Sequence, residues 1–331
     1  MNIGVAGLIH GHVWGLIESA KRVAGIELTA VADPTPLLER AKPDFARQYI
    51  GWRDMLATES LDGLIVTSDN VESAQIAVEA LAKGIPCLVE KAMAANAADA
   101  DRMRAAAIES GKILMINWPF AWNPTLHDIR KRIHAGEIGH VFHMKYRNGH
   151  QGPEEIGCDE YFVGWLYDEA RNGGGAIADF GGYGCVLAAW YFGLPETVYA
   201  VRGNLTKDYP VCDDHALIVL KYPGRDVVLE ATWATCGFDE AANPALYGNR
   251  GTLGAYGDKL LHYSVGEPGV ELSVTPLALG NPLAYFKECI EQGRNPEGML
   301  NPDVAANACR ILDAALKSCA SGCAVKPVPA T

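Results

Sequence analysis

The stretch GVAGLIHGHVWG, residues 4–15, sets two histidines around a glycine directly after an apolar run. Gly7 stands where a strand must turn sharply, and Gly11 is a second small residue near a helix start. That helix start offers unpaired N–H groups and positive potential, which suit a pyrophosphate. In a G-x-G-x-x-G loop the next two glycines would fall at Ile9 and His12. Ile9 holds the backbone farther from a phosphate than glycine does. Asp33 closes the second apolar run, where a carboxylate accepts hydrogen bonds from ribose hydroxyls. Together these residues read as a dinucleotide loop with altered glycines rather than a plain strand–turn–helix. His10 and His12 are also a pair of metal-type ligands. No carboxylate or cysteine cluster adjoins them in sequence, so they are given phosphate-side or packing roles and no metal is expected.

The elements that must position these groups alternate in type. NIGVAGL, IELTAVAD, LDGLIVTS, IPCLVEK and KILMINW are strand-like. HVWGLIESAKRVAG, TPLLERAKPDFARQY, ESAQIAVEALAKG and NAADADRMRAAAIESG carry helical spacing, the last capped by Asn96 and stopped by Gly111. Apolar strands alternating with helices imply a parallel sheet covered on both faces. Ligands sit at the carboxyl ends of such strands, so Gly7, Asp33, Ser68 and Glu90 should converge. After residue 123 the pattern changes. HDIRKRIHAGEIG is a helix, while HVFHMKYRNGH, HALIVLKYP and RDVVLEATWA are long strands separated by turns. Cys185, Trp190 and Tyr191 mark the buried side of a helix over 177–192. The expected domains are 1–122 and 123–331.

The bulk numbers exclude several classes. At 331 residues, two domains are natural. A net charge of −12 argues against nucleic-acid or anionic-membrane partners. No apolar run is long enough to span a bilayer. The nine cysteines are an odd, scattered set, read as reduced thiols. Cys319 and Cys323 lack a second pair at zinc-ligand spacing. Met1 leads straight into a strand with no basic region or cleavage signal, so a cytoplasmic protein is expected.

CLVEKA, at 87–92, brings a resemblance. The chain resembles the Gfo/Idh/MocA oxidoreductases over essentially its whole length. That family has EKP after its fifth strand; Glu90 and Lys91 match, and Ala92 replaces the proline. It has a loop like TPN after the fourth; Ser68 and Asn70 match, with Asp69 between them. GGGAIADFGGYG is similar to its glycine run followed by an aspartate and a histidine four residues on, here Asp179 and Tyr183. GNRGTLGAYG and the last helical stretch also resemble the family. The resemblance implies an α/β fold: a Rossmann dinucleotide-binding domain, then an α/β domain on an open, mostly antiparallel sheet. Cofactor contacts are then expected at Gly7, Ile9, His10, Gly11, His12, Asp33, Ser68, Asn70, Glu90 and Lys91.

The implied reaction moves hydride between a carbinol carbon and a nicotinamide, leaving the protein one proton to manage. Lys91 can stabilise the developing alkoxide. Tyr183 can exchange the proton, provided a neighbouring ammonium lowers its pKa. Asp179, one turn earlier on the same face, can orient Lys91 and the substrate hydroxyl. Without proline at 92, Lys91 either sits on a shifted trans backbone or precedes a cis peptide bond. Trp118 and Trp122, in NWPFAWNP, offer flat faces to a sugar or fill a domain junction. His150, in RNGHQGP, contacts substrate hydroxyls or lies exposed on its loop. Asp33 and the lack of an adjacent arginine favour NAD over NADP. The expectation is an NAD(P)-dependent dehydrogenase of a sugar, cyclitol or polyol, assembled as a dimer or tetramer. Two alternatives share the fold: a non-catalytic nucleotide-binding sensor, and a sugar–sugar oxidoreductase with tightly held cofactor.

Overall fold

In the computed structural model, which describes residues 1–237, 241–278 and 280–329, six strands form one sheet. They are β1 (Asn2–Ala6), β2 (Glu27–Ala32), β3 (Arg47–Tyr49), β4 (Gly63–Val66), β5 (Cys87–Glu90) and β6 (Leu114–Asn117). Their order is β3-β2-β1-β4-β5-β6 and every pairing is parallel. β4, β5 and β6 are buried at every position, as apolar strands covered on both faces must be. The helices along this stretch are α1 (Val13–Lys21), α2 (Leu37–Ala41), α3 (Trp52–Thr58), α4 (Asn70–Ala82) and α5 (Ala97–Ser110). Asn96 caps α5 by accepting the Asp99 N–H, and Gly111 ends it in the left-handed region at φ 63°. This is the expected Rossmann arrangement.

TPLLERAKPDFARQY is not one helix. It breaks into α2, a 3-10 turn at Lys42–Asp44, and β3. Pro43 has no N–H to give the Glu39 carbonyl, so α2 stops. Phe45 is then extended and buried, and 47–49 pair with β2 at the sheet edge.

Eight strands form a second sheet: β7 (Val141–Gly149), β8 (Thr197–Gly203), β9 (His215–Tyr222), β10 (Arg225–Thr232), β11 (Ala245–Gly248), β12 (Thr252–Tyr256), β13 (Lys259–Tyr263) and β14 (Val270–Leu272). The order is β14-β13-β12-β11-β7-β10-β9-β8. β7 and β10 pair parallel, and the other neighbours are antiparallel. β9 alternates cleanly: Ala216, Ile218, Leu220 and Tyr222 are buried, while Leu217, Val219 and Lys221 face outward. The remaining helices are α6 (Pro124–His134), α7 (Glu160–Leu166), α8 (Glu169–Asn172), α9 (Ala176–Phe192), α10 (Pro282–Gln292) and α11 (Pro302–Ser321). α9 packs on β7, β9 and β10. It is buried on nearly every side, with Cys185, Trp190 and Tyr191 among its core residues. Gly184 permits the close approach, because a Cβ there would meet the Leu229 side chain at 3.0 Å.

The chain forms two units. One contains Met1–Trp118, Gly157–Gly173 and Leu279–Cys309; the other contains Pro119–Ile156, Gly174–Ala278 and Arg310–Thr331. A single cut at 122 therefore differs from the observed division, since the chain enters the first unit three times. Asn70, on α4, shows how a late segment is held there: its Nδ2 donates to the backbone and side-chain oxygens of Asn172, both at 3.0 Å.

Candidate active site

Gly7 locks the end of β1 to its neighbours. Its N–H donates to Ala32 O at 2.9 Å, and its carbonyl accepts from Thr67 Oγ1 at 2.6 Å. Its φ is +84°, and a Cβ there would lie 2.6 Å from the Ser68 nitrogen. Only glycine fits both constraints. The carboxyl ends of β1, β2 and β4 thus converge as expected.

Beside this turn lies a cavity of about 320 Å³ whose lining includes Gly7, Ile9, Asp33, Ser68, Trp52 and Arg171. Asp33 is buried at its edge. Asp33 Oδ2 accepts from Leu8 N–H at 2.6 Å, and Oδ1 accepts from the Thr35 N–H at 2.7 Å and from the Thr35 hydroxyl. Burial pushes its carboxyl above the usual range, opposed by these bonds. Ser68 donates to Glu72, and Asp69 caps α4 by accepting from Val71 and Glu72 N–H. Asp69 also pairs with Arg171 at 2.8 Å. The cavity lining includes the carboxylates of Asp33, Glu72 and Glu160, and Arg171 is the lone guanidinium among the described lining residues.

The rest of the loop turns inward. His10 is 1% exposed, and its Nε2 lies 3.1 Å from the Lys91 carbonyl. A carbonyl only accepts, so the ring carries its proton on Nε2. Its Nδ1 then accepts the His12 N–H at 3.3 Å. Burial, followed by the charges of His12 and Lys91, holds the His10 pKa well below the ordinary value. The rings of Phe162 and Trp165 pack against His10, and Trp165 Nε1 donates to Ile9 O at 3.2 Å. Gly11 is exposed and under no steric constraint of its own. His12 Nδ1 lies 2.8 Å from Glu90 Oε1, while Glu90 Oε2 accepts from Asn117 Nδ2 at 2.7 Å. Lys91 is buried at the end of β5, and the Lys91–Ala92 peptide is cis. Of the two backbones open to Lys91 in the sequence, this is the second.

The second unit gathers another group. Asp213, fully buried, accepts the Gly175 and Ile177 N–H groups through its carboxylate at 3.0 and 2.7 Å, anchoring the start of α9. Asp179 lies in the first turn of α9. Its Oδ2 accepts from the buried Trp233 Nε1 at 3.0 Å. One turn on, Tyr183 is 8% exposed, with the Phe120 ring edge-on at 5.0 Å and Phe180 stacked at 6.0 Å. His150 stands edge-on to Phe180 at 4.8 Å, and its Nδ1 accepts the Gly152 N–H at 3.0 Å. Burial and the nearby Tyr183 push the Tyr146 phenol far above its usual pKa. Trp122 is half-buried. Trp118, in the first unit, is 1% exposed, so its ring is enclosed by protein and shows no open face to a sugar.

Residues 1–118 match the oxidoreductase family with an NAD-binding Rossmann fold, and 126–254 match the GFO/IDH/MocA C-terminal domain. The chain belongs to the Gfo/Idh/MocA family. It is 26% identical over 231 residues to scyllo-inositol 2-dehydrogenase (NADP(+)) IolU of Bacillus subtilis, covering 64% of each chain. The match thus spans less than two thirds of that relative. Among solved structures, levoglucosan dehydrogenase in complex with NADH and levoglucosan has the same fold. Its TM-score is 0.84 at 17% identity, covering 99% of this chain and 100% of that one. The WlbA dehydrogenase of Bordetella pertussis, in complex with NADH and UDP-GlcNAcA, has a TM-score of 0.81 at 21% identity, covering 99% and 98%.

Two features of this Gfo/Idh/MocA chain escaped sequence reasoning. Residues 157–173, with Tyr161, Gly164 and Arg171 lining the cavity, join the first unit from the middle of the chain. The aromatic run YFVGW was their only local signal. Asp213 and Trp233 fix the start of α9 and Asp179 from positions 34 and 54 residues beyond Asp179.

Proposed function

We propose that the chain is an NAD-dependent dehydrogenase acting on a secondary hydroxyl of a sugar, cyclitol or related polyol. The observation that carries this reading is Lys91, buried directly after Glu90 in the unit that holds the glycine turn and Asp33. The fit to a dinucleotide rests on two features: the cavity beside Gly7, and the turn that a Cβ would fill. Gly7, Ile9, Asp33 and Ser68 would hold the adenosine end; His10, Gly11, His12, Asn70 and Glu90 complete the proposed contacts.

When bound, the nicotinamide supplies the hydride acceptor. The Lys91 ammonium stabilises negative charge developing on the substrate oxygen. Tyr183, in the second unit, is the candidate for proton exchange, with Lys91 the alternative carrier. Asp179, tethered through Oδ2 to Trp233, fixes the polar setting of the turn that presents Tyr183. His150 and Trp122 are the substrate-contact candidates; the enclosed Trp118 is left as core.

NAD is preferred over NADP in this reading. A 2′-phosphate beside Asp33 meets a carboxylate, and at about 4 Å with an effective dielectric near 20 the repulsion is roughly 4 kcal/mol before screening. Arg171, the guanidinium of the lining, is already paired with Asp69. The outward face of the second sheet carries Tyr199, Val201, Leu217 and Val219, paired across strands and exposed. We assign it to self-association into a dimer or tetramer. A panel of sugars and cyclitols, scored by reduced-nicotinamide absorbance with NAD and NADP, tests the proposal. Turnover of at least one polyol with NAD is expected. NADH binding with no turnover across the panel would favour the sensor alternative.

A further inference from the structure

Folding supplies what the sequence lacked beside the two histidines: a carboxylate. The ligand atoms of His10, His12 and Glu90 all lie within 4.8 Å of one another. We propose that His10, His12 and Glu90 form a binding site for one divalent transition-metal ion of the zinc class.

The three side chains are prepared in the manner of metal ligands. A ligating histidine gives its second ring N–H to a backbone carbonyl or carboxylate, which fixes its tautomer. His10 does so: Nε2–H is spent on Lys91 O, so the lone pair is on Nδ1. Glu90 is steadied by Asn117 on Oε2, which leaves Oε1 to point at His12. Two contacts give way to an ion: the long one from the His12 N–H to His10 Nδ1, and the one between His12 Nδ1 and Glu90 Oε1, whose two atoms turn to the ion instead of to each other. Zinc-type ligands at about 2.0–2.1 Å from the ion sit roughly 3.3 Å apart in a tetrahedron, so closure needs shifts of about an ångström. Two imidazoles and one carboxylate suit zinc, cobalt or nickel; magnesium and calcium want all-oxygen sets. The Glu90 side chain is 1% exposed, whereas His12 is 41% exposed. The ion therefore has an entry side and an open fourth position.

His10, His12 and Glu90 are also proposed dinucleotide contacts, so the ion and the cofactor compete for them; the test reads metal on cofactor-free protein, not turnover, and its failure is therefore distinguishable from failure of the dehydrogenase reading. Tag-free, chelator-treated protein is titrated with cobalt(II) and followed by visible absorbance and calorimetry. One saturable equivalent per chain is expected, displaced by zinc and unaffected by excess magnesium. Glu90→Gln and His12→Ala should each weaken it by more than the about 10–100-fold that loss of an outer partner costs, and Asn117→Ala by about that range. His12→Gln, which keeps a hydrogen bond to Glu90, guards against misfolding and should also lose the site while far-ultraviolet circular dichroism stays parental. The proposal is overturned by the absence of saturable binding. It is equally overturned by parental binding in His12→Gln and Glu90→Gln, or by a thiolate-to-cobalt charge-transfer band that places the ion on cysteine.

Discussion

Asp33 and Gly7 carry the most specific expectations for single residues. The Asp33 carboxylate, proposed to meet a ribose, already holds Leu8 and Thr35. Asp33→Ser removes the charge that repels a 2′-phosphate. The ratio of NADPH to NADH dissociation constants, measured by fluorescence titration at moderate salt, should fall by about tenfold, or 1.4 kcal/mol. An unchanged ratio would remove Asp33 from cofactor choice. Gly7→Val faces both a left-handed backbone and the Ser68 nitrogen. It should abolish NADH binding in the same titration, and parental affinity would show that this turn is not the cofactor site. The place of both residues at strand ends beside one cavity was legible in the sequence, because each closes an apolar strand ahead of a helical pattern.

The elements were legible where their periodicity was long. β9 announces itself by the β-rich run HALIVLKY, and α9 by the continuous apolar run CVLAAWYF that fills the second half of its seventeen residues. β3 has three residues and exists only because β2 offers it an edge, so no local pattern could reveal it. α7 and α8 have seven and four residues, and their attachment to the first unit depends on Asn70, Asp69 and Ile9, far away in sequence. The candidate residues show the same division. Glu90, Lys91, Asp179 and Tyr183 are proposed from motif and spacing, whereas Asp213 is not, since a helix start capped from 36 residues away leaves no local trace. Asp213→Ala leaves the Gly175 and Ile177 N–H groups without their buried acceptor. It should cost about 2 kcal/mol in urea unfolding. A cost within about 0.5 kcal/mol of zero would mean that α9 is anchored by other contacts.

For the whole molecule, the exposed apolar cross-strand pairs on a chain of net charge −12 are the basis of the proposed self-association. If that proposal holds, replacing Leu217 and Val219 together with glutamate lowers the mass seen by light scattering relative to the parent. A parental mass would place the interface elsewhere. The central claim concerns chemistry, and Lys91 tests it most directly. Lys91→Met keeps the length of the side chain and removes its charge. The measurement is turnover on the best polyol of the panel, set beside NADH affinity for the same variant. The dehydrogenase account predicts nearly unchanged NADH binding and turnover lowered about 10²–10⁴-fold. Parental turnover in Lys91→Met would contradict it.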